Sequence, residues 1–212
     1  MNTAIVLSAG KGTRMKSAVA KQYMELAGKP VLYYALKAFE DSIVDEIVLV
    51  TGESDIEYVK NDIVDKYNLK KVKAVVCGGA YRFESVYNGL NAVSEECENV
   101  FVHDGARPLV TPEMISELCS AVKEKKAVVA ACPAKDTIKI VGNDNEVIDT
   151  PKRNTLWQVQ TPQVFFYPII KEAYDKLIEA GDLSATDDAM VVEKYGNAKV
   201  YLQDTGYSNI KI

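Results

Sequence analysis

The stretch Thr3-Ala4-Ile5-Val6-Leu7-Ser8-Ala9-Gly10-Lys11-Gly12-Thr13-Arg14-Met15 is a short apolar run that breaks at once into a glycine-bearing turn. Glycines after a parallel strand let the backbone bend tightly and aim N–H groups at a phosphate. The turn is not a Walker loop, because Gly-x-x-x-x-Gly-Lys-Ser/Thr is absent, nor the dinucleotide fingerprint, since Met15 holds the third glycine position. Charge sharpens the reading. Lys11, Arg14, Lys16 and Lys21 fall within eleven residues, and several cations about a glycine turn are what a triphosphate requires. A solvated loop with stray lysines is the plain alternative for this segment alone.

Outward from that turn the chain alternates strand and helix. Apolar residues at helical spacing run from Val31 to Phe39 behind Pro30, and Glu46–Val50 reads as a second buried strand. Asp55–Tyr67 reads as an amphipathic helix, Val72–Val76 as a strand, Ser85–Val93 as a helix and Val100–His103 as a strand. Thr111 before Pro112 marks a capped helix to about Lys125, followed by a strand at Ala127–Cys132. Such alternation predicts an α/β fold, a mostly parallel twisted sheet flanked by helices on both faces.

The rhythm breaks at Pro133. Thr137–Ile140 and Glu146–Thr150 flank Gly142-Asn143-Asp144-Asn145, so the segment reads as a hairpin too short to be a domain. It is expected to project as an arm, over 137–152, serving dimerisation or covering the site. The chain then returns through Leu156–Gln160, helices near Pro168–Ala180 and Thr186–Tyr195, and a strand at Lys199–Leu202. One domain over 1–212 suits a chain of 212 residues.

Composition excludes several classes. Hydrophobic residues at 48% and charged residues at 26% are those of a folded globular chain. No apolar run reaches the ~18 residues of a membrane span, and the first residues read as a strand rather than a signal peptide. The cytoplasm and no membrane partner are therefore expected. A net charge of −5 without a basic block argues against a nucleic-acid partner. Cys77, Cys97, Cys119 and Cys132 form no Cys-x-x-Cys pair and read as buried thiols. The single histidine, His103, excludes a histidine-rich metal site and, at the end of a buried strand, reads as packed rather than catalytic.

Two further clusters end strands on the same edge. Cys77-Gly78-Gly79-Ala80-Tyr81-Arg82 precedes Ser85, which caps the next helix or contacts a base that Gly78 and Gly79 let approach. His103-Asp104-Gly105-Ala106-Arg107-Pro108 offers Asp104 to a hard cation such as Mg²⁺, with Arg107 to pair with it or hold the loop. In Thr186-Asp187-Asp188, Thr186 suits an N-cap and the aspartates favour the helix dipole.

Taken in order, the motifs resemble one family. They are Ala9–Met15, Lys21-Gln22-Tyr23, Gly28-Lys29-Pro30, Gly78-Gly79 with Arg82, Ser85-Val86, Asn88-Gly89-Leu90 and His103–Pro108. Asp136-Thr137-Ile138-Lys139, Leu156-Trp157, Gln160-Thr161-Pro162-Gln163, Thr186–Ala189 and Asn209-Ile210-Lys211-Ile212 continue the match across the chain. The sequence is similar to the 2-C-methyl-D-erythritol 4-phosphate cytidylyltransferases, and the resemblance implies a Rossmann-like nucleotidyltransferase domain with a β-arm interlocking a homodimer. It implies that Ala9, Gly10, Gly78, Gly79 and Ser85 hold cytidine, with Ser8, Gly12 and Gly105 completing the CTP-binding set. Arg14 and Lys21 would be the catalytic cations at the CTP phosphates, and Asp104 the Mg²⁺ ligand. Arg107, Thr186, Asp187 and Lys211, with Thr137 and Arg153 from the partner's arm, would surround methylerythritol phosphate. Ala20 stands where the family usually has proline, and Ser8 where it usually has alanine. Three other readings remain: ribitol-5-phosphate cytidylyltransferase, a catalytically silent nucleotide-binding protein, and, weakened by the missing glycine, a nicotinamide oxidoreductase.

Overall fold

The computed structural model describes residues 1–10 and 19–212. Among these, seven strands form one sheet: β1 (Asn2–Ser8), β2 (Glu46–Thr51), β3 (Val72–Cys77), β4 (Asn99–Asp104), β5 (Ala127–Pro133), β6 (Trp157–Phe166) and β7 (Tyr201–Asp204). Their spatial order is β7-β5-β6-β4-β1-β2-β3. β1 pairs in parallel with β2 and β4, β2 with β3, and β7 with β5, whereas β6 runs antiparallel to both its neighbours.

Alternation within β1 explains why the sheet needs cover on both sides. Ala4 and Val6 face one layer and Ile5 the other, since successive side chains point to opposite faces. On the first face α1 (Val31–Glu40) and α3 (Pro112–Lys125) bury Leu32, Leu36, Phe39, Ile115 and Leu118. On the second, α2 (Arg82–Leu90), α4 (Tyr167–Ala180) and α5 (Asp188–Tyr195) bury Val86, Leu90, Tyr174, Leu177 and Val192. Gly89 is required for the close seat of α2, because a Cβ there would lie 2.6 Å from Ile5 Cγ2.

Several boundaries differ from expectation. The helix expected over Asp55–Tyr67 is a composite: a 3₁₀ turn at Glu53–Asp55, one α turn at Ile56–Tyr58 and π geometry over Val59–Asp65. Nevertheless its apolar side, Val59 and Ile63, enters the core. α2 begins at Arg82, three residues before Ser85, because the Glu84 carboxylate accepts the N–H groups of Ala80 (2.6 Å) and Tyr81 (3.1 Å). Ser85 is therefore not the cap. Asp187 rather than Thr186 caps α5, its Oδ1 accepting the Met190 N–H at 3.0 Å. The hairpin is present but short, with Ile140–Val141 paired to Val147–Asp149. Cys97, Cys119 and Cys132 are buried, but Cys77 is exposed, since it ends the edge strand β3.

Candidate active site

Strand order reverses between β1 and β4: β2 and β3 lie on one side of β1, β4 on the other. In open α/β sheets ligands bind at such a switch, beyond the carboxyl ends of the strands. Ser8 and Asp104 end those two strands, with Leu7 in register with Asp104 and the Gly105 N–H donating to the Leu7 carbonyl at 2.8 Å. A Cβ on Gly105 would lie 2.7 Å from Leu32 Cδ1, so glycine lets this turn press against α1.

The exit of β1 and the glycine turn after β3 meet beside this point. A Cβ on Gly78 would stand 2.5 Å from Ala9 Cβ and 2.8 Å from Ser85 Oγ, so only glycine lets the loops after β1 and β3 abut. The Gly79 N–H donates to Ser85 Oγ at 3.1 Å, so of the two roles expected of Ser85 the cap is replaced by shaping the glycine turn. Ser8 is buried, its hydroxyl donating to the Val50 carbonyl at 3.0 Å. Gln22, also buried, donates through Nε2 to the carbonyls of Ser8 (2.7 Å) and Gly10 (3.0 Å), tying the exit of β1 to the turn Lys21–Tyr23. That turn carries Lys21, whose Nζ donates to the Ile212 carbonyl at 2.8 Å. Ala20 precedes it with φ −62° and ψ 140°, the conformation proline would impose. Gly12 and Arg14 lie outside the described residues.

Cations gather on Asp104. Lys211 Nζ stands 2.6 Å from Oδ2, Arg82 Nε 3.5 Å from Oδ1, and Arg107 Nε 3.9 Å from Oδ2. Burial pushes the Asp104 carboxyl up, but the attraction of Arg82 and then Lys211 outweighs it and holds the group well below the usual carboxylate range. Arg107 faces Asp104, one of the two roles expected of it, and its NH1 donates to the Asn209 carbonyl of the C-terminal segment at 2.8 Å. His103 is fully buried, and burial pushes its imidazole down to about 4, so it is packed and neutral.

These groups open on a cavity of about 760 Å³ lined by Arg82, Asp104, Arg107, Thr186, Asp187 and Lys211, with Val159, Met190 and Leu202 on its apolar side. Asp104, Arg107, Thr186, Asp187 and Lys211 were expected as site residues from the sequence; Arg82, Gln160, Thr161, Gln163 and Glu193 also line the cavity and were not. Thr137 and Arg153 stand apart on the exposed arm, where Arg153 NH1 donates to the Lys135 carbonyl at 3.3 Å.

A framework of paired side chains stands behind this cavity. Arg82 forms a two-pronged pair with Asp188 at 2.8 and 2.9 Å, and the Tyr174 hydroxyl donates to the same carboxylate at 2.5 Å. Asp188 has no exposed surface. Gln163 accepts the Ala189 N–H at 2.8 Å and donates to Asp187 at 2.9 Å, fixing the start of α5 to β6. Arg82 within a glycine turn and Asp188 after a capping aspartate were visible as charges, but nothing local marks them as partners 106 positions apart.

The family model of 2-C-methyl-D-erythritol 4-phosphate cytidylyltransferase matches residues 2–212. The chain belongs to that family. A relative of that name from Lachnospira eligens is 53% identical, over 100% of this chain and 93% of the relative. One from Lachnoclostridium phytofermentans is 50% identical, over 99% and 90%. The crystal structure of the 4-diphosphocytidyl-2C-methyl-D-erythritol synthase of Anaerococcus prevotii superposes with a TM-score of 0.88 at 35% identity, covering 100% of this chain and 89% of that one. That of the Francisella tularensis cytidylyltransferase gives 0.81 at 31% identity, with 100% and 94% covered. The chain is thus a nucleotidyltransferase, with the Rossmann-like fold of these enzymes. None of the described helices is long and apolar enough to cross a membrane.

Proposed function

We propose that this chain transfers the cytidylyl group of CTP to 2-C-methyl-D-erythritol 4-phosphate, giving 4-diphosphocytidyl-2-C-methyl-D-erythritol and pyrophosphate. The observation that carries this reading is the gathering of Lys211, Arg82 and Arg107 on Asp104, beside the close approach of Gly78 to Ala9. An oxygen of the acceptor phosphate bonds to the α-phosphorus of CTP, and the bond from that phosphorus to the β-phosphate bridge breaks. A phosphate monoester, with a second pKa near ~6, is mostly a dianion at neutral pH. No general base is needed, which agrees with a single histidine that is buried.

The obstacle is repulsion between two polyanions, so catalysis rests on positioning and neutralisation. Arg107 and Lys211 receive the acceptor phosphate, with Thr186 and Asp187 at the other wall of the cavity. Lys21 and Arg14 neutralise the triphosphate and the departing pyrophosphate. Gly78, Gly79, Ala9 and Gly10 offer backbone groups to the cytosine.

Mg²⁺ suits Asp104. It usually binds through one or two carboxylates plus phosphate oxygens, and no cluster of three or more acidic, histidine or cysteine ligands occurs among the described residues. Asp104, held ionised at the mouth of the cavity, would supply such a carboxylate, and a bound ion would polarise the phosphoryl oxygens. Apolar Val141, Val147 and Ile148 stand exposed on the arm, which supports a homodimer in which a second copy's arm delivers Thr137 and Arg153 to the acceptor. The cytoplasm is the expected location. Measuring pyrophosphate from CTP and Mg²⁺ with methylerythritol phosphate tests the whole reading. Release only with ribitol 5-phosphate, or with neither acceptor, would refute it.

A further inference from the structure

His103 is the chain's one histidine, it has no exposed surface, and the reaction above gives it no proton to carry. Its ring nevertheless touches the site at both ends. Nε2 lies 3.2 Å from the Arg107 carbonyl, and Nδ1 lies 3.1 Å from Thr161 Oγ1. That hydroxyl also accepts the Asp104 N–H at 3.0 Å.

Donor and acceptor rules assign every proton in this chain of contacts. A carbonyl oxygen only accepts, so Nε2 must carry the ring hydrogen. A neutral imidazole then leaves Nδ1 bare, and the Thr161 hydroxyl donates to it. The lone pairs of the same hydroxyl are free for the Asp104 amide. With the ring neutral, both ring nitrogens and the Asp104 amide then have a partner of the right kind. The opposite tautomer would set a bare Nε2 against a carbonyl oxygen, two acceptors face to face in a buried place.

We infer that His103, as its Nε2–H tautomer, is a positioning residue for cytidylyl transfer. It clamps the loop from Asp104 to Arg107 at both ends, through Thr161 of β6 to the Asp104 amide and directly to the Arg107 carbonyl. Asp104 and Arg107 thereby start from fixed backbone positions while their side chains meet the anionic reactants. Phe39 packs edge-on against the imidazole, with ring centroids 5.3 Å apart. Thr161 is the necessary second half of the device, and serine is its conservative replacement.

This inference rests on the proposed activity for its kinetic half, but not for its spectroscopic half. With one histidine, a chain labelled with ¹⁵N in histidine gives a single imidazole. Long-range ¹H–¹⁵N correlation of the intact protein at pH 8 should show protonated Nε2 and bare Nδ1. Thr161→Val should shift the Nδ1 resonance towards that of a nitrogen without a hydrogen bond, and lower kcat tenfold or more with KM for CTP changed less than twofold. Thr161→Ser should restore both. An Nδ1–H tautomer in the unaltered chain overturns the inference whatever the enzyme does. So does a folded Thr161→Val that turns over at the normal rate, or a Thr161→Ser as slow as the valine variant. Should Thr161→Val fail to fold, the tautomer and the serine variant still decide. An unaltered protein that releases no pyrophosphate would instead count against the proposed activity, leaving the tautomer to be judged by itself.

Discussion

Replacing Arg82 with methionine should unfold the protein more readily than any change to the cavity's other cations. The guanidinium bonds Asp188 with both prongs at 2.8 and 2.9 Å, and Asp188 has no exposed surface. Without Arg82 that carboxylate keeps the Tyr174 hydroxyl at 2.5 Å but loses its countercharge in a place water does not reach. Breaking a buried pair from one side typically costs about 3–5 kcal/mol. The Arg82 side chain is 32% exposed, which admits some water, so about 3 kcal/mol is expected. Asp188→Asn should cost less, about 1–2 kcal/mol, because the remaining guanidinium reaches solvent and still faces Asp104. The double variant removes the stranded charge and should be less destabilised than the two losses added, by about 2 kcal/mol. Urea unfolding followed by circular dichroism, at one fixed protomer concentration because a dimer's stability depends on it, would measure all three. Activity should not follow stability, since the double variant is no less stable than Arg82→Met but still lacks the cation 3.5 Å from Asp104. Strict additivity, or Arg82→Met within about 0.5 kcal/mol of the unaltered protein, would show that the pair is not the buried strut described.

Four further outcomes are expected. Lys21→Ala should lower kcat about a hundredfold or more while the urea midpoint stays unchanged, as for loss of one oxyanion donor; near-normal turnover would remove it from catalysis. Burial depresses the His103 pKa from an ordinary 6.5 to about 4, so between those values the unfolded chain binds more protons and stability falls as pH drops. The loss should approach about 3 kcal/mol near pH 4 and add to that from Asp104, whose contribution fades only below its unfolded value of 3.8. Urea midpoints across pH 4–7 for the unaltered chain and His103→Gln would check this, the variant giving the flatter curve. Gly89→Ala should lose about 1–3 kcal/mol through the 2.6 Å clash with Ile5 Cγ2, with activity per folded molecule retained; an unchanged midpoint would mean that α2 shifts freely. Ala20→Pro should add about 0.4–1 kcal/mol, because φ −62° already suits the ring, and a lowered melting temperature would contradict that.

The last of these shows how a departure in sequence resolves in space. Ala20 lacks the stiffness of the proline usual in its family, yet the turn it opens is pinned by Gln22, whose amide holds the carbonyls of Ser8 and Gly10. Gln22 appeared in the sequence only as one letter of a motif. Its role exists because β1 and the turn after residue 20 are neighbours. Ser85 teaches the reverse. A serine near a helix start reads as a cap, but Glu84 captured the two free amides first, and Ser85 was left to shape the glycine turn.

Local chemistry was enough to decide the layering and the kind of site. Buried strands on an α/β sheet must be apolar on both faces, and glycine, lysine and aspartate at strand ends announce phosphate chemistry because few other residues can do it. These are properties of short windows, so they can be read without folding anything. Which cation answers which carboxylate is not such a property. Arg82 with Asp188, Lys211 with Asp104, and Thr161 with His103 are joined across 106, 107 and 58 positions. Those meetings follow from the order in which strands pair and from helices packing on them. Interactions that fall off within a few ångströms leave no trace in a linear chain until the fold has closed the distance.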